Sequence, residues 1–280
     1  MGLARCAINP LTMQSKKYKI VPAKKQKKVA VVGGGIGGME AAILLAKRGH
    51  KVTIYEKSDK LGGVFIAAAA PSFKEKDRDL IKWYIREVSK LPIEVKMNTE
   101  VKDINALGAD EIIVATGSTA KRIPIKGAET AIEAVDYLLG TKEVGEKVAI
   151  IGGGLTGCEI AYDLFLQGKK PVIIEMQDDL ITTKGVCLAN TSFLRDCFKA
   201  NKVPVHLETG VQEIVDGGVM VKDKNGKAFK IDADSVIMSV GYNPAPIAEK
   251  SKNVHIIGDA KAVGNLRTVI WGAWDVAMKI

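Results

Sequence analysis

Cysteine is scarce in this sequence: Cys6, Cys158, Cys187 and Cys197 are the whole complement of 280 residues, and no two form a Cys-x-x-Cys pair. That spacing excludes a disulfide scaffold and electron transfer through a local dithiol, and it points to a reducing, cytoplasmic compartment. Histidine is scarcer still, with three residues. His206 and His255 stand in strand patterns without a partner in sequence, and both read as structural. Aromatic residues make up 5%, too few for the stacking platforms of a nucleic-acid binder. No apolar run reaches the length of a membrane span, and Met1-Gly2-Leu3-Ala4-Arg5-Cys6 has no apolar leader region. The net charge of +9 comes from scattered lysines, apart from Lys16-Lys17, Lys19 and the run Lys24-Lys25-Gln26-Lys27-Lys28. This reads as a solvated linker, so neither nucleic acid nor membrane is expected as a partner. With 47% hydrophobic and 26% charged residues, the chain is globular and long enough for two domains.

What is present occurs twice. Gly33-Gly34-Gly35-Ile36-Gly37-Gly38 follows the apolar run Val29–Val32, and Glu56 closes the next run, Val52–Tyr55. Gly152-Gly153-Gly154-Leu155-Thr156-Gly157 follows Val148–Ile151, and Glu175 closes Val172–Ile174. Each acid lies 23 residues after the first glycine of its motif. A single Gly-x-Gly-x-x-Gly run also suits a plain strand-to-helix turn. Two copies in the same strand–turn–helix–strand–acid setting specify two dinucleotide sites. Gly33 and Gly152 open the tight turns, Gly35 and Gly154 let backbone approach a pyrophosphate, and Gly37-Gly38 and Gly157 let helix pack on strand. The helix N-termini hold the phosphate charge, and the carboxylates accept from ribose hydroxyls. Two dinucleotides in one chain imply electrons passing between them.

The fold class is α/β, with two Rossmann-like FAD/NAD(P)-binding domains and the second inserted in the first. Residues 1–28 read as an extended basic linker, 29–120 with 236–280 as the FAD-binding domain, and 121–235 as the NAD-binding domain. The pattern predicts helices near 39–48, 74–90, 131–139, 187–200 and 268–279. Strands are expected at 93–96, 111–115, 235–240 and 254–257, and Val211 to Ile231 reads as antiparallel strands turning at Gly217-Gly218 and Asn225-Gly226.

These residues resemble the two-dinucleotide-binding-domain flavoproteins. More narrowly, Lys27–Gly33, Tyr55-Glu56-Lys57, Leu61-Gly62-Gly63, Asn98–Val101, Ala115-Thr116-Gly117 and Ile257-Gly258-Asp259 resemble the C-terminal half of the 2-enoate reductase and 2,4-dienoyl-CoA reductase family, which includes trimethylamine dehydrogenase. The resemblance implies FAD at the first site. Glu56, with Lys57 beside it, would hold the adenosine ribose; Val101 would lie beside the adenine and Lys74 near a phosphate or ribityl oxygen. Ala115-Thr116-Gly117 would run over the dinucleotide, and Gly258-Asp259 would meet the ribityl chain, with the following helix aimed at the flavin. Read without the family, Asp259 is a plain helix cap. Val64, after Gly63, stands where relatives often have a Gln. At the second site the resemblance implies NAD, with Glu175 disfavouring a 2′-phosphate and no arginine in Met176–Asp179 to reverse it. Glu159 would reach the carboxamide, or else be a helix-surface carboxylate, and Gly241 marks the exit from the inserted domain. Cys158 reads as packing.

Cys6-Ala7-Ile8-Asn9-Pro10 is similar to the family's Cys-x-x-Asn-Pro, whose cysteine is the last ligand of a [4Fe–4S] cluster. The family's N-terminal FMN barrel and the other three ligands are missing from this sequence. The expected function is the electron-input module of an NADH-dependent oxidoreductase, passing hydride from NADH to FAD and feeding an absent barrel that reduces an activated C=C bond. The alternative is a nucleotide-binding structural or docking module holding ADP or FAD without turnover. Neither reading calls for a catalytic acid or base, because hydride transfer between nicotinamide and flavin is the cofactors' chemistry.

Overall fold

A computed structural model describes residues 5–280, and the first four residues of the stretch scanned for a leader lie outside the described residues. The chain gathers into two compact units. One comprises the chain up to Ile66 with Lys76–Thr119 and Tyr242–Ile280; the other comprises Ala67–Glu75 with Ala120–Gly241. The segment Ala67–Glu75 departs from the sequence-based division, because it belongs to the second unit although it lies between elements of the first.

The first unit is built on a five-stranded parallel sheet ordered Val254–Ile256, Glu111–Val114, Lys28–Val32, Lys51–Tyr55 and Ile93–Lys96. Its central strand, Lys-Val-Ala-Val-Val, is buried after the first residue, as a parallel strand covered on both faces must be. The helix Ile36–Lys47 lies between strand and helix layers and is buried along most of its length, from Ile36 to Leu45. The helix Leu266–Ala277 packs on it and contributes Ile270, Ala273, Trp274 and Ala277 to the core. The helix Glu75–Ser89 is amphipathic, with Tyr84 and Val88 inward.

The sequence reads residues 1–28 as an extended connection, yet part of it is folded. Gln14 and Tyr18 close turns on Leu11 and Gln14 (N–H to C=O, both 2.9 Å). Tyr18 is buried edge-on to Trp271 and Trp274, at centroid distances of 5.5 and 5.9 Å, and the Trp271 indole N–H donates to the Cys6 carbonyl at 3.1 Å. Apolar Leu11, Tyr18 and Ile20, hidden among lysines, fasten the segment to the last helix.

The second unit repeats the plan. Its parallel sheet is ordered Ile132–Glu133, Ser235–Met238, Lys147–Ile151, Lys170–Ile174 and Val205–His206. One face carries the helices Leu155–Leu166 and Leu188–Ala200. The other packs on an antiparallel sheet, Thr209–Val215, Gly218–Asp223 and Ala228–Asp232, through Ile214, Val219, Val221 and Ile231. The helix expected over 131–139 is only Ala134–Leu138, because Ile132–Glu133 is taken as an edge strand beside Ser235–Met238. Two further short elements escape the sequence pattern: the turn of helix Phe65–Ala68 and the pairing of Ser118–Ala120 with Tyr242–Pro244. Among the described residues no helix is long and apolar enough to cross a membrane.

His255 has a partner that sequence proximity conceals: its Nε2 lies 2.8 Å from Glu111, which also takes the Lys27 ammonium at 2.6 Å. His50 is buried, and its Nδ1 accepts the Lys27 N–H at 3.2 Å, so Nε2 carries the proton and has no partner among the described residues. Burial first, then the charges of Arg48 and Lys27, hold its pKa below the usual imidazole value. Above the unfolded value of about 6.5 both states are neutral there. Below it the unfolded chain gains a proton that the native chain resists, so stability falls as pH drops from about 6.5 through the folded pKa. We expect the urea midpoint to decline over that interval and His50→Asn, which retains an acceptor, to flatten the decline. An unchanged slope in the variant would remove His50 from this account.

Candidate functional site

The same device ends the first strand of each unit. Gly33 and Gly152 adopt positive φ, +107° and +105°, and a Cβ would meet the carbonyls of Ala115 and Ser239 at 2.4 and 2.3 Å. Gly38 and Gly157 sit so close beneath the turn that a Cβ would lie 1.9 and 2.0 Å from the Gly33 and Gly152 carbonyl oxygens. Gly35 and Gly154 are different. No atom comes within 3.9 Å of a Cβ at Gly35, and none within 4 Å at Gly154. Both cap their helices in extended conformation without a side-chain hydrogen bond. Free helix N–H groups therefore face a cradle with space that protein atoms leave unused, which suits a pyrophosphate.

The acids occupy equivalent places. Glu56 accepts the Gly34 N–H at 2.7 Å through Oε2, and the Ser58 N–H and hydroxyl at 2.8 and 2.7 Å through Oε1. Glu175 accepts the Gly153 N–H at 2.6 Å and the Gln177 N–H at 2.8 Å. A carboxylate offers about four acceptor positions, so both retain capacity for ribose hydroxyls. Lys57 is exposed beside Glu56. In the same unit Gly63 (φ +57°) packs against Gly35, Val64 is exposed, and Val101 and Tyr55 both pack against the buried cluster of Val32 and Val114.

The turn Ala115-Thr116-Gly117 abuts the first glycine run and is fixed by the Thr116 hydroxyl on the Ala245 carbonyl (2.6 Å) and by the Ala245 N–H on the Gly117 carbonyl (3.0 Å). Gly241 holds the matching position after Ser239-Val240, with φ +93°. Asp259, in the turn Gly258–Ala260, accepts the Gly264 N–H at 3.0 Å, and burial raises its pKa. It does not cap the following helix. That cap is Asn265, in a reciprocal pair with Thr268, so the helix start expected to face a flavin already has its Thr268 N–H engaged.

Lys74, assigned from sequence to the first site, is found in the second unit. Its ammonium lies 2.7 Å from Glu159, on the first turn of the helix Leu155–Leu166. Ser72 donates N–H and hydroxyl to buried Asp163 (2.9 and 2.8 Å), and Phe73 meets Tyr162 at 5.0 Å, so Ser72, Phe73 and Lys74 run along that helix. Glu159 is thus a paired group beside Gly157, not a bare surface carboxylate. Cys158 is fully buried and its thiol is pushed up to about 12, chiefly by that burial, which bears out packing rather than chemistry.

Two features carry no sequence signal of their own. Buried Glu40, on the first glycine helix, receives hydrogen bonds from the Trp274 indole and Tyr84; burial raises its pKa while these donors oppose the rise. Arg195, from the helix Leu188–Ala200, forms a two-pronged pair with Asp179 in the loop after Glu175. A search for arginine within Met176–Asp179 cannot find it. Cys6 is partly exposed, and among the described residues no group of three His, Cys, Asp or Glu side chains gathers to hold a metal. Cys6 alone supplies one thiol where a [4Fe–4S] cluster needs four, so the described residues do not by themselves hold such a cluster.

Comparison with known proteins agrees with this architecture. The family model for pyridine nucleotide-disulphide oxidoreductase matches residues 27–277. The chain is 42% identical to a cinnamate reductase of Clostridium sporogenes, over 98% of this chain and 42% of that protein. It is 36% identical to an NADH oxidase of Thermoanaerobacter brockii, over 99% of this chain and 44% of the other. A solved 2-naphthoyl-CoA reductase superposes with a TM-score of 0.90 at 31% identity, covering 99% of this chain and 43% of its own. The chain thus spans less than half the length of these relatives.

The glycines give a test of the cradle. Gly157→Ala drives a methyl into a backbone carbonyl and should lower stability by about 3 kcal/mol or more. Gly154→Ala meets nothing and should stay within about 1 kcal/mol of wild type, the range of a cap change. Urea unfolding followed by circular dichroism measures both, and equal losses would contradict the assignment of open space to Gly154.

Proposed function

The chain belongs to the pyridine nucleotide-disulphide oxidoreductase family, and we propose that it takes a hydride from NADH onto FAD as the electron-input half of an enoate-reductase-type enzyme. At the coarser level it is an FAD-dependent NAD(P)H oxidoreductase, in keeping with the named reductases and oxidase among its relatives. The observation that carries the finer reading is the doubled construction of glycine turn, open helix start and strand-end acid, one in each unit.

In this reading the first unit holds FAD and the second NADH. Bound flavin and nicotinamide supply the hydride chemistry, so the residues bind and orient. Gly35 admits the flavin pyrophosphate to the N–H groups of the helix Ile36–Lys47, while Glu56, held by Gly34 and Ser58, accepts from the adenosine ribose. Lys57, Gly63, Val64, Val101 and the turn Ala115–Gly117 line the same nucleotide, and Gly258-Asp259 meets its ribityl part. Gly154 and the helix Leu155–Leu166 do the same for NADH. Glu175 accepts from the 2′-hydroxyl, and Glu159, set by Lys74, orients the carboxamide. The proposed partner is an N-terminal FMN barrel bearing the alkene site, in keeping with relatives more than twice as long as this chain.

Purified chain loaded with FAD should reduce ferricyanide with NADH and leave cinnamate untouched. NADPH should be poorer by on the order of a hundredfold, because its 2′-phosphate would be set against Glu175, a like-charge clash that costs several kcal/mol. Glu175→Ser with Met176→Arg should narrow that gap. Flavin-loaded protein inert toward NADH and ferricyanide would overturn the reading in favour of a nucleotide-holding module without turnover.

A further inference from the structure

The segment Met176–Asp179 that follows Glu175 contains acids and no base, yet the fold delivers a guanidinium to it. Arg195 donates through Nε to Asp179 Oδ1 at 3.0 Å and through Nη2 to Asp179 Oδ2 at 2.9 Å, and Nη2 also reaches the Leu180 carbonyl. Asp179 Oδ1 further accepts the Leu180 N–H at 2.7 Å. Leu180 joins this pair to the ribose acid. A Cβ on Gly153 would lie 2.5 Å from Leu180 Cδ2 and 3.0 Å from Glu175 Cβ, and the Gly153 N–H is the one that Glu175 holds.

A 2′-phosphate is recognised in such folds by an arginine near the strand-end acid. A guanidinium suits it because its planar fork matches phosphate oxygens two at a time. Arg195 has the right chemistry, but its fork is occupied. The side chains of Arg195 and Asp179 keep 30% and 55% of their surface exposed, so solvent reaches the pair and the arginine can turn once released.

We propose that Asp179 is a specificity-determining residue of the second site: it sequesters Arg195 and so withholds a guanidinium that could pair with the 2′-phosphate of NADPH. This rests on the reading of the second unit as the NADH site. Glu175 supplies repulsion of the phosphate and Asp179 removes the attraction, so discrimination has two separable parts.

Asp179→Asn tests it, because the amide oxygen still accepts the Leu180 N–H while the charge that holds Arg195 is gone. Protein saturated with FAD is titrated by calorimetry with AMP and with adenosine 2′,5′-bisphosphate, and the NADPH-to-NADH ratio of kcat/KM is read with ferricyanide. The expected result is AMP affinity equal to wild type, bisphosphate affinity raised about tenfold relative to AMP, and a kcat/KM ratio moved in the same sense. Asp179→Asn with Arg195→Gln should lose the gain. An unchanged bisphosphate-to-AMP ratio in Asp179→Asn, or a gain that survives in the double variant, overturns the role of Asp179 and leaves the NADH reading standing. Wild-type protein that binds neither nucleotide overturns both.

Discussion

One charge-assisted hydrogen bond, made twice, underlies the rest of the structure: the carboxylate at the end of the second strand accepting from the middle glycine of the first turn. Glu56 holds Gly34, and Glu175 holds Gly153. Each middle glycine is also gripped through its carbonyl, by the N–H of Gly62 in one unit and of Ile181 in the other. A leucine, Leu61 or Leu180, lies over the side where a Cβ would stand. The acid thus fixes the turn from which the helix springs and keeps lone pairs for a ligand. In the proposed reading, structural and binding roles meet in one side chain, so changing the acid should alter both the turn and what it can hold.

Much of this was legible in the sequence because it rests on local rules with tight geometric demands. Gly33 and Gly152 require positive φ, Gly38 and Gly157 tolerate no Cβ, and runs such as Val29–Val32 and Val148–Ile151 can only be buried strands. The strand at Ile93–Lys96 and the antiparallel turns at Gly217-Gly218 and Asn225-Gly226 follow from equally local signals. Four strands of each parallel sheet, centred on the strand that enters the glycine turn, follow the same order, which extends the repeat from the motif to most of the sheet.

What the sequence concealed depends on contacts between distant residues. Tyr18 is buried only because Trp271 and Trp274 receive it. Lys74 belongs with Glu159, 85 positions away, and the short segment carrying it is claimed by the second unit through Ser72, Phe73 and Lys74 together. Glu40 looks like an ordinary helix-surface acid until Tyr84 and Trp274 close over it. Asp259 could also read as a plain helix cap in the sequence, until Asn265 is seen to hold that place. In each case a side chain's partner, rather than its own type, decides its role.

The central claim is that one chain carries two equivalent nucleotide cradles, one per unit. The number of ADP molecules bound by flavin-free protein, counted by calorimetry, tests it most directly. Two should bind to wild type, one to Gly35→Ala and one to Gly154→Ala, since each methyl fills one cradle and leaves the other open. A single ADP on wild-type protein, or loss of both sites from either substitution, would contradict the account.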